Sequence, residues 1–280
     1  MAKISYGFEN VEPEFIASYS AENHNSDEKD PSIVALSGGG FALAYEWRSL
    51  DFDINTGTFP TAILLERYAV EGTLYQPVGV PLGFIQIDAV DGGTTVDPAI
   101  TQLTDGRILT TWTQSSGSGA GIRYAIVDAA TGDVTTPDTL LPGTNGLDFA
   151  SDVAALPGGG FAVVKQEDRA ATDQDADLLI YDSDGASVAA HSLGGNSFAD
   201  EQNPVLAVLA NGNIAVAYEK ELVDDTDAFG ISVEIYTPAG VSVLAPILID
   251  PNGVSPAIVA LQDGGFAVAN AHDAPNGDHQ

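Results

Sequence analysis

The 280-residue chain carries 40 acidic against 9 basic side chains, a formal charge of −31, and a surface so charged repels nucleic acid and anionic membranes while attracting divalent cations. Hydrophobic residues make up 44% of it, too many for a disordered acidic tail, and the absence of cysteine excludes a disulfide framework or a thiolate metal site. Nowhere do eighteen apolar residues run together, so no membrane insertion is expected.

Taken in order, the chain opens on two short apolar segments, 4–8 and 15–19, without the apolar run of a signal peptide. A form then appears that occurs five times: P-S-I-V-A-L-S-G-G-G-F-A-L-A-Y from Pro31, P-A-I-T-Q-L-T-D-G-R-I-L-T-T-W from Pro98, S-D-V-A-A-L-P-G-G-G-F-A-V-V-K from Ser151, P-V-L-A-V-L-A-N-G-N-I-A-V-A-Y from Pro204, and P-A-I-V-A-L-Q-D-G-G-F-A-V-A-N from Pro256. The shared leucines Leu36, Leu103, Leu156, Leu209 and Leu261 follow one another at intervals of 67, 53, 53 and 52 residues. Such a period marks a repeat architecture. Each copy reads as a hairpin. A strand starting at the proline ends at the leucine, a pair such as Asp105-Gly106 or Asn211-Gly212 supplies a type I′ turn, and a second strand starts at Phe41, Ile108, Phe161, Ile214 or Phe266.

Between hairpins, third strands are expected at 62–68, 122–127, 178–181 and 231–236, and fourth strands at 84–90, 139–141, 188–192 and 247–250. No helical periodicity occurs. Four short strands per unit of about fifty residues is the pattern of a β-propeller blade. The last repeat holds only its first hairpin, and segments 4–8 and 15–19 can supply the two missing strands. The expectation is therefore an all-β, five-bladed propeller of four-stranded antiparallel blades over residues 1–280. Its boundaries fall near 31, 98, 151, 204 and 256, and its last blade is shared between the termini to remove open sheet edges.

The pattern P-x-V-A-x-L-x-[DG]-G-G-F-x-V-x-[YW], followed by an acidic loop, resembles repeats of large secreted bacterial RTX-type, hemolysin-type calcium-binding proteins and adhesins, although their glycine-rich nonapeptide is missing. The resemblance implies a non-catalytic module at the bacterial surface or secreted, a monomer or part of a longer chain, serving as a rigid platform that recognises a glycan or a cell-surface protein. The alternative is a glycosidase-type propeller using carboxylates at the channel mouth, since fold does not decide function.

Acidic runs with oxygen ligands two residues apart suit a hard cation such as calcium: Asp51, Asp53 and Asn55; Asp173, Asp175 and Asp177; Asp224, Asp225 and Asp227. The complete calcium-loop motif is absent, and solvated loop charge is the competing account. Asp30 and Asp97, each before a proline, lie where inner strands begin and are candidate ligand contacts, with Asp152 beside them in the third repeat. They are not expected to converge on a deep central pocket, because an aspartate there caps the turn before a strand. Trp47 and Trp112, at the ends of second strands, are expected first to pack between blades and are kept second as candidate carbohydrate contacts. The four histidines show no zinc spacing, and no nucleophile elbow is present.

Overall fold

The computed structural model describes residues 26–49, 61–68, 85–88, 94–115, 119–146, 148–170, 173–195, 199–222 and 228–272. All regular structure among them is antiparallel sheet, in consecutive meanders. The first sheet joins β1 (Ser26–Ala35), β2 (Phe41–Ser49), β3 (Thr61–Tyr68) and β4 (Ile85–Gln86). The second holds β5 (Thr95–Gln102), β6 (Ile108–Gln114), β7 (Gly121–Val127) and β8 (Val134–Leu140). The third holds β9 (Asp148–Ala155), β10 (Phe161–Ala170), β11 (Asp173–Tyr181) and β12 (Ser187–Ser192). The fourth holds β13 (Glu201–Val208), β14 (Ile214–Glu221), β15 (Phe229–Tyr236) and β16 (Ser242–Asp250), and β17 (Gly253–Ala260) pairs with β18 (Phe266–His272) as a two-stranded sheet. The expected shared blade needs segments 4–8 and 15–19, which lie outside the described residues.

Period-two alternation explains how these sheets assemble. In β10, Phe161 and Val163 pack with Leu109, Ile122 and Tyr124 of the preceding sheet, while Ala162 and Val164 pack with Leu206, Ile214 and Tyr218 of the following one. A strand covered on both faces must be apolar on both, hence runs such as Phe-Ala-Val-Val instead of strict alternation. The same logic joins the first sheet to the second through Ile63, Leu65, Ile108 and Trp112, and the fourth to the fifth through Ile231, Val233, Ile258 and Phe266. Fourth strands lie outermost and are mostly exposed, as in β16. The first strands β1, β5, β9, β13 and β17 touch in succession and form the inner rim.

Two local expectations are corrected. The hairpin turn is a type I turn followed by a left-handed glycine, with a second left-handed glycine after it in the first and third repeats, and not type I′. Gly106 donates to the Leu103 carbonyl at 2.9 Å and alone has positive φ (+91°), while Asp105 instead accepts from the Arg107 amide at 3.0 Å. Nor do the repeat prolines begin their strands. Pairing starts upstream, at Ser26, Thr95, Glu201 and Gly253, and each proline sits at an interruption inside the strand, where its missing N–H costs no ladder bond.

Candidate functional site

The interruptions share one geometry. Asp30-Pro31 stands opposite Tyr45 alone, Asp97-Pro98 opposite Trp112, Asn203-Pro204 opposite Tyr218 and Ser255-Pro256 opposite Asn270, so each is a bulge of two residues against one. The first residue of every pair is left-handed, with φ of 48°, 53°, 50° and 54° respectively. Asp and Asn tolerate that conformation through local hydrogen bonding, whereas a position before proline ordinarily favours extended backbone. The third repeat has no proline. Its extra residue is Ser151, skipped between the pairs Ala150–Lys165 and Asp152–Val164.

The bulges bring four repeats to one place. Asp97 of β5, Phe149 of β9, Gln166 and Asp168 of β10, Asn203 of β13 and Ser255 of β17 line a single cavity of about 610 Å³. Asp97, Asn203 and Ser255 are exposed toward it, while Pro98, Pro204 and Pro256 behind them are buried. Inner strands whose tips surround one cavity must curve about a common axis, which is the propeller-like arrangement.

Side chains of second strands fasten the bulges at Asn203 and Ser255 to the repeat before. Gln166 Oε1 accepts from the Asn203 amide of the next repeat at 3.1 Å, and Glu219 Oε1 accepts from the Ser255 amide of the next at 2.7 Å and from Asn203 Nδ2 at 2.8 Å. Gln166 and Glu219 occupy equivalent positions, five residues past the start of their strands, and Glu46 is their counterpart in β2.

Charge gathers at the same mouth. Asp97, ringed by protein although open to the cavity, has its carboxyl raised above the usual aspartate range by partial burial and, second, by the charge of Asp30. Glu46 is raised by burial, then by Asp30, with Lys29 opposing and Asp97 adding. Asp30, Asp97 and Glu46 thus form one coupled acidic group. Asp168, also lining the cavity, accepts from Gln174 Nε2 at 2.8 Å. At the same position the other repeats carry Arg48, Ser115, Glu221 and Asp273, a mixture that the leucine, turn and proline pattern does not single out.

Other candidates lie elsewhere. Asp152 accepts from the Leu206 amide at 3.1 Å and the Val153 amide at 2.8 Å, stapling two sheets instead of facing the cavity. Trp112 is wholly buried among Ile63, Ile100 and Ile108, which corrects its reading as a sugar-stacking residue, and Trp47 is half-buried against Leu43, Tyr45 and Leu64. The run Asp173–Asp177 is not a loop but the start of β11, and Asp177 Oδ2 is taken by Lys165 Nζ at 2.9 Å. Lys165 also binds Asp148 at 2.6 Å and Glu167 at 3.3 Å. Burial works to lower the Lys165 pKa, but Asp148 and Asp177 outweigh it and hold the ammonium above its ordinary value. No group of three or more His, Asp or Glu side chains is placed to hold a metal among the described residues. Asp51, Asp53, Asn55, Asp224, Asp225 and Asp227 lie outside those residues.

No family model matches the chain, and no curated protein matches it. Solved structures do. An α-L-arabinanase of Penicillium chrysogenum complexed with arabinobiose superposes with a TM-score of 0.59 at 14% identity, over 86% of this chain and 74% of that one. A GH93 α-L-arabinofuranosidase of Fusarium graminearum with arabinobiose gives 0.55 at 13% identity, over 88% and 76%. An endo-arabinase of Bacteroides thetaiotaomicron gives 0.50 at 13% identity, over 89% and 90%. At such identities the likeness establishes the fold, an all-β, propeller-like array of antiparallel sheets. It also corrects the sequence resemblance. The neighbours are arabinan- and arabinofuranoside-cleaving proteins and not RTX-type calcium-binding repeats, so the expectation of a non-catalytic, calcium-binding adhesion module loses its basis.

Proposed function

We propose that the chain is a glycan-active enzyme of glycosidase type, working at the cavity on the inner rim. The observation that carries this reading is that two carboxylates from different repeats, Asp97 and Asp168, line one cavity of about 610 Å³. Glycoside hydrolysis needs such a pair on opposite sides of the scissile bond, one protonated and one ionised. Asp97, raised by burial and by Asp30, is the member suited to hold a proton and give it to the departing glycosidic oxygen. Asp168 is suited to attack the anomeric carbon or to take a proton from the water that does. In either case the C–O bond to the leaving sugar breaks and water supplies the new one.

Arabinan is the first substrate to test, because the similar structures are named for it and two hold arabinobiose. Reducing-sugar release from arabinan, galactan and xylan is the measurement. Asp97→Asn and Asp168→Asn should each lower kcat/KM by about 10²–10⁴-fold while leaving Tm near that of the parent. Activity surviving intact in Asp97→Asn, or no release from any glycan by the parent chain, sinks the proposal.

The reading includes the finer architecture. Five blades would close as a ring in which segments 4–8 and 15–19 pair beyond β18, and the protein would act outside the cell, where glycans are met. Supporting this, among the described residues the β17–β18 sheet has two strands where the others have four, and Val259 and Leu261 of that repeat are exposed at 57% and 41%.

A further inference from the structure

The hydrogen bonds that fasten the bulges also fix which ends of two cavity amides remain for a ligand. Gln166 gives its Oε1 to a backbone N–H, which only an oxygen can satisfy, so its Nε2 is the end left to act, and that end is a donor. Asn203 gives its Nδ2 to the Glu219 carboxylate, which only a nitrogen can satisfy, so its Oδ1 is left, and that end is an acceptor. Both residues line the cavity, and the bond between Asn203 N and Gln166 Oε1 makes them neighbours. Neither amide can flip without breaking a bond to backbone or to buried Glu219, 5% exposed.

A donor beside an acceptor, each locked, matches a hydroxyl, which accepts through its oxygen and donates through its proton. The rest of the lining fits the same ligand class. Phe149 offers an apolar surface to ring C–H groups, Asp97 and Asp168 offer further acceptors, and no Lys or Arg is among the described lining residues. Lys165, the nearest cation in sequence to Gln166, is already held by Asp148, Glu167 and Asp177. A uronate or sulfate brought here would lose water beside two carboxylates with no guanidinium in exchange.

We propose that Gln166 and Asn203, clamped by the Asn203 backbone and by Glu219, form an oriented amide pair that reads a hydroxyl of a neutral saccharide and makes the cavity selective against acidic ones. This rests on the glycan-active reading, and its test separates the two. Titration calorimetry with arabinobiose and xylobiose as neutral probes, and digalacturonate as the anionic one, is run at low and high salt. The parent chain should bind a neutral probe with little salt dependence and bind digalacturonate at least tenfold more weakly.

Gln166→Glu keeps the acceptor that holds the Asn203 amide but replaces the donor end by a second acceptor. It should lower neutral-probe affinity roughly tenfold or more, with Tm within a few degrees of the parent. Glu219→Gln removes the requirement that Asn203 present its nitrogen to that residue, and should weaken the same probe several-fold. If the parent binds a neutral probe and both variants bind it equally well, the amide pair is refuted while the glycan-active reading stands. Tighter binding of digalacturonate refutes the neutral class alone. A parent chain that binds none of the three overturns both.

Discussion

Asp97 sits in a field that its own repeat does not generate. Burial comes first in raising its carboxyl, and the next contribution is Asp30 of the preceding repeat. If Asp97 donates the proton, activity falls as pH rises through its elevated pKa, and removing Asp30's charge must lower that pKa. Asp30→Asn should therefore move the alkaline limb of the kcat/KM profile toward lower pH and leave the acid limb in place, as a pH–rate series would show. A limb that stays where it was would mean that another group supplies the proton. Asp30 and Asp97 were legible in the sequence because each precedes a repeat proline. Gln166, Asp168 and Glu219 were not, since the repeats place Trp-Arg, Gln-Ser or Lys-Glu around the same region and nothing in one strand reveals which side chains reach the next blade.

At the scale of elements, the bulge is the feature that aims the mouth, and its left-handed residue is its vulnerable point. Ser255 has φ of 54° and gives its amide to Glu219. A β-branched, non-polar residue is poorly tolerated there. Ser255→Val should cost about 1–2 kcal/mol in denaturant unfolding, whereas Ser255→Gly, free of the Cβ penalty, should be near neutral. Equal stability of the two would show that the conformation is not strained. The hairpins around these bulges were readable from leucine, turn and following Phe or Ile, and third strands were placed nearly where they stand. The acidic run from Asp173 was read as loop because carboxylates two apart ordinarily seek water. It extends β11 instead, since Lys165 lies directly across the pair and neutralises Asp177, a long-range compensation that local composition does not display. The prolines misled in the same way: their lost donor is absorbed by a bulge within the strand instead of marking its start.

For the molecule as a whole, the proposed ring closure makes the first 25 residues part of the fold. Deleting residues 1–25 should lower Tm, at about 2–4 °C for each kcal/mol of stability lost, and raise binding of a hydrophobic dye by opening the β17–β18 sheet. A synthetic peptide of the deleted segment should restore both. An unchanged Tm would leave the array open. The bonds from Gln166 to the Asn203 amide and from Glu219 to the Ser255 amide bear on how such a ring can vary. Because the bulges at Asn203 and Ser255 are each held by a second-strand side chain of the repeat before, the unit that can be transplanted intact between related rings runs from one repeat proline through the first residue of the next bulge, as 204–255 does with Glu219 and Ser255. A cut in the outer connections, between third and fourth strands, would separate Gln166 from the Asn203 amide and Glu219 from the Ser255 amide, whereas a cut just before each proline leaves both backbone bonds within one segment.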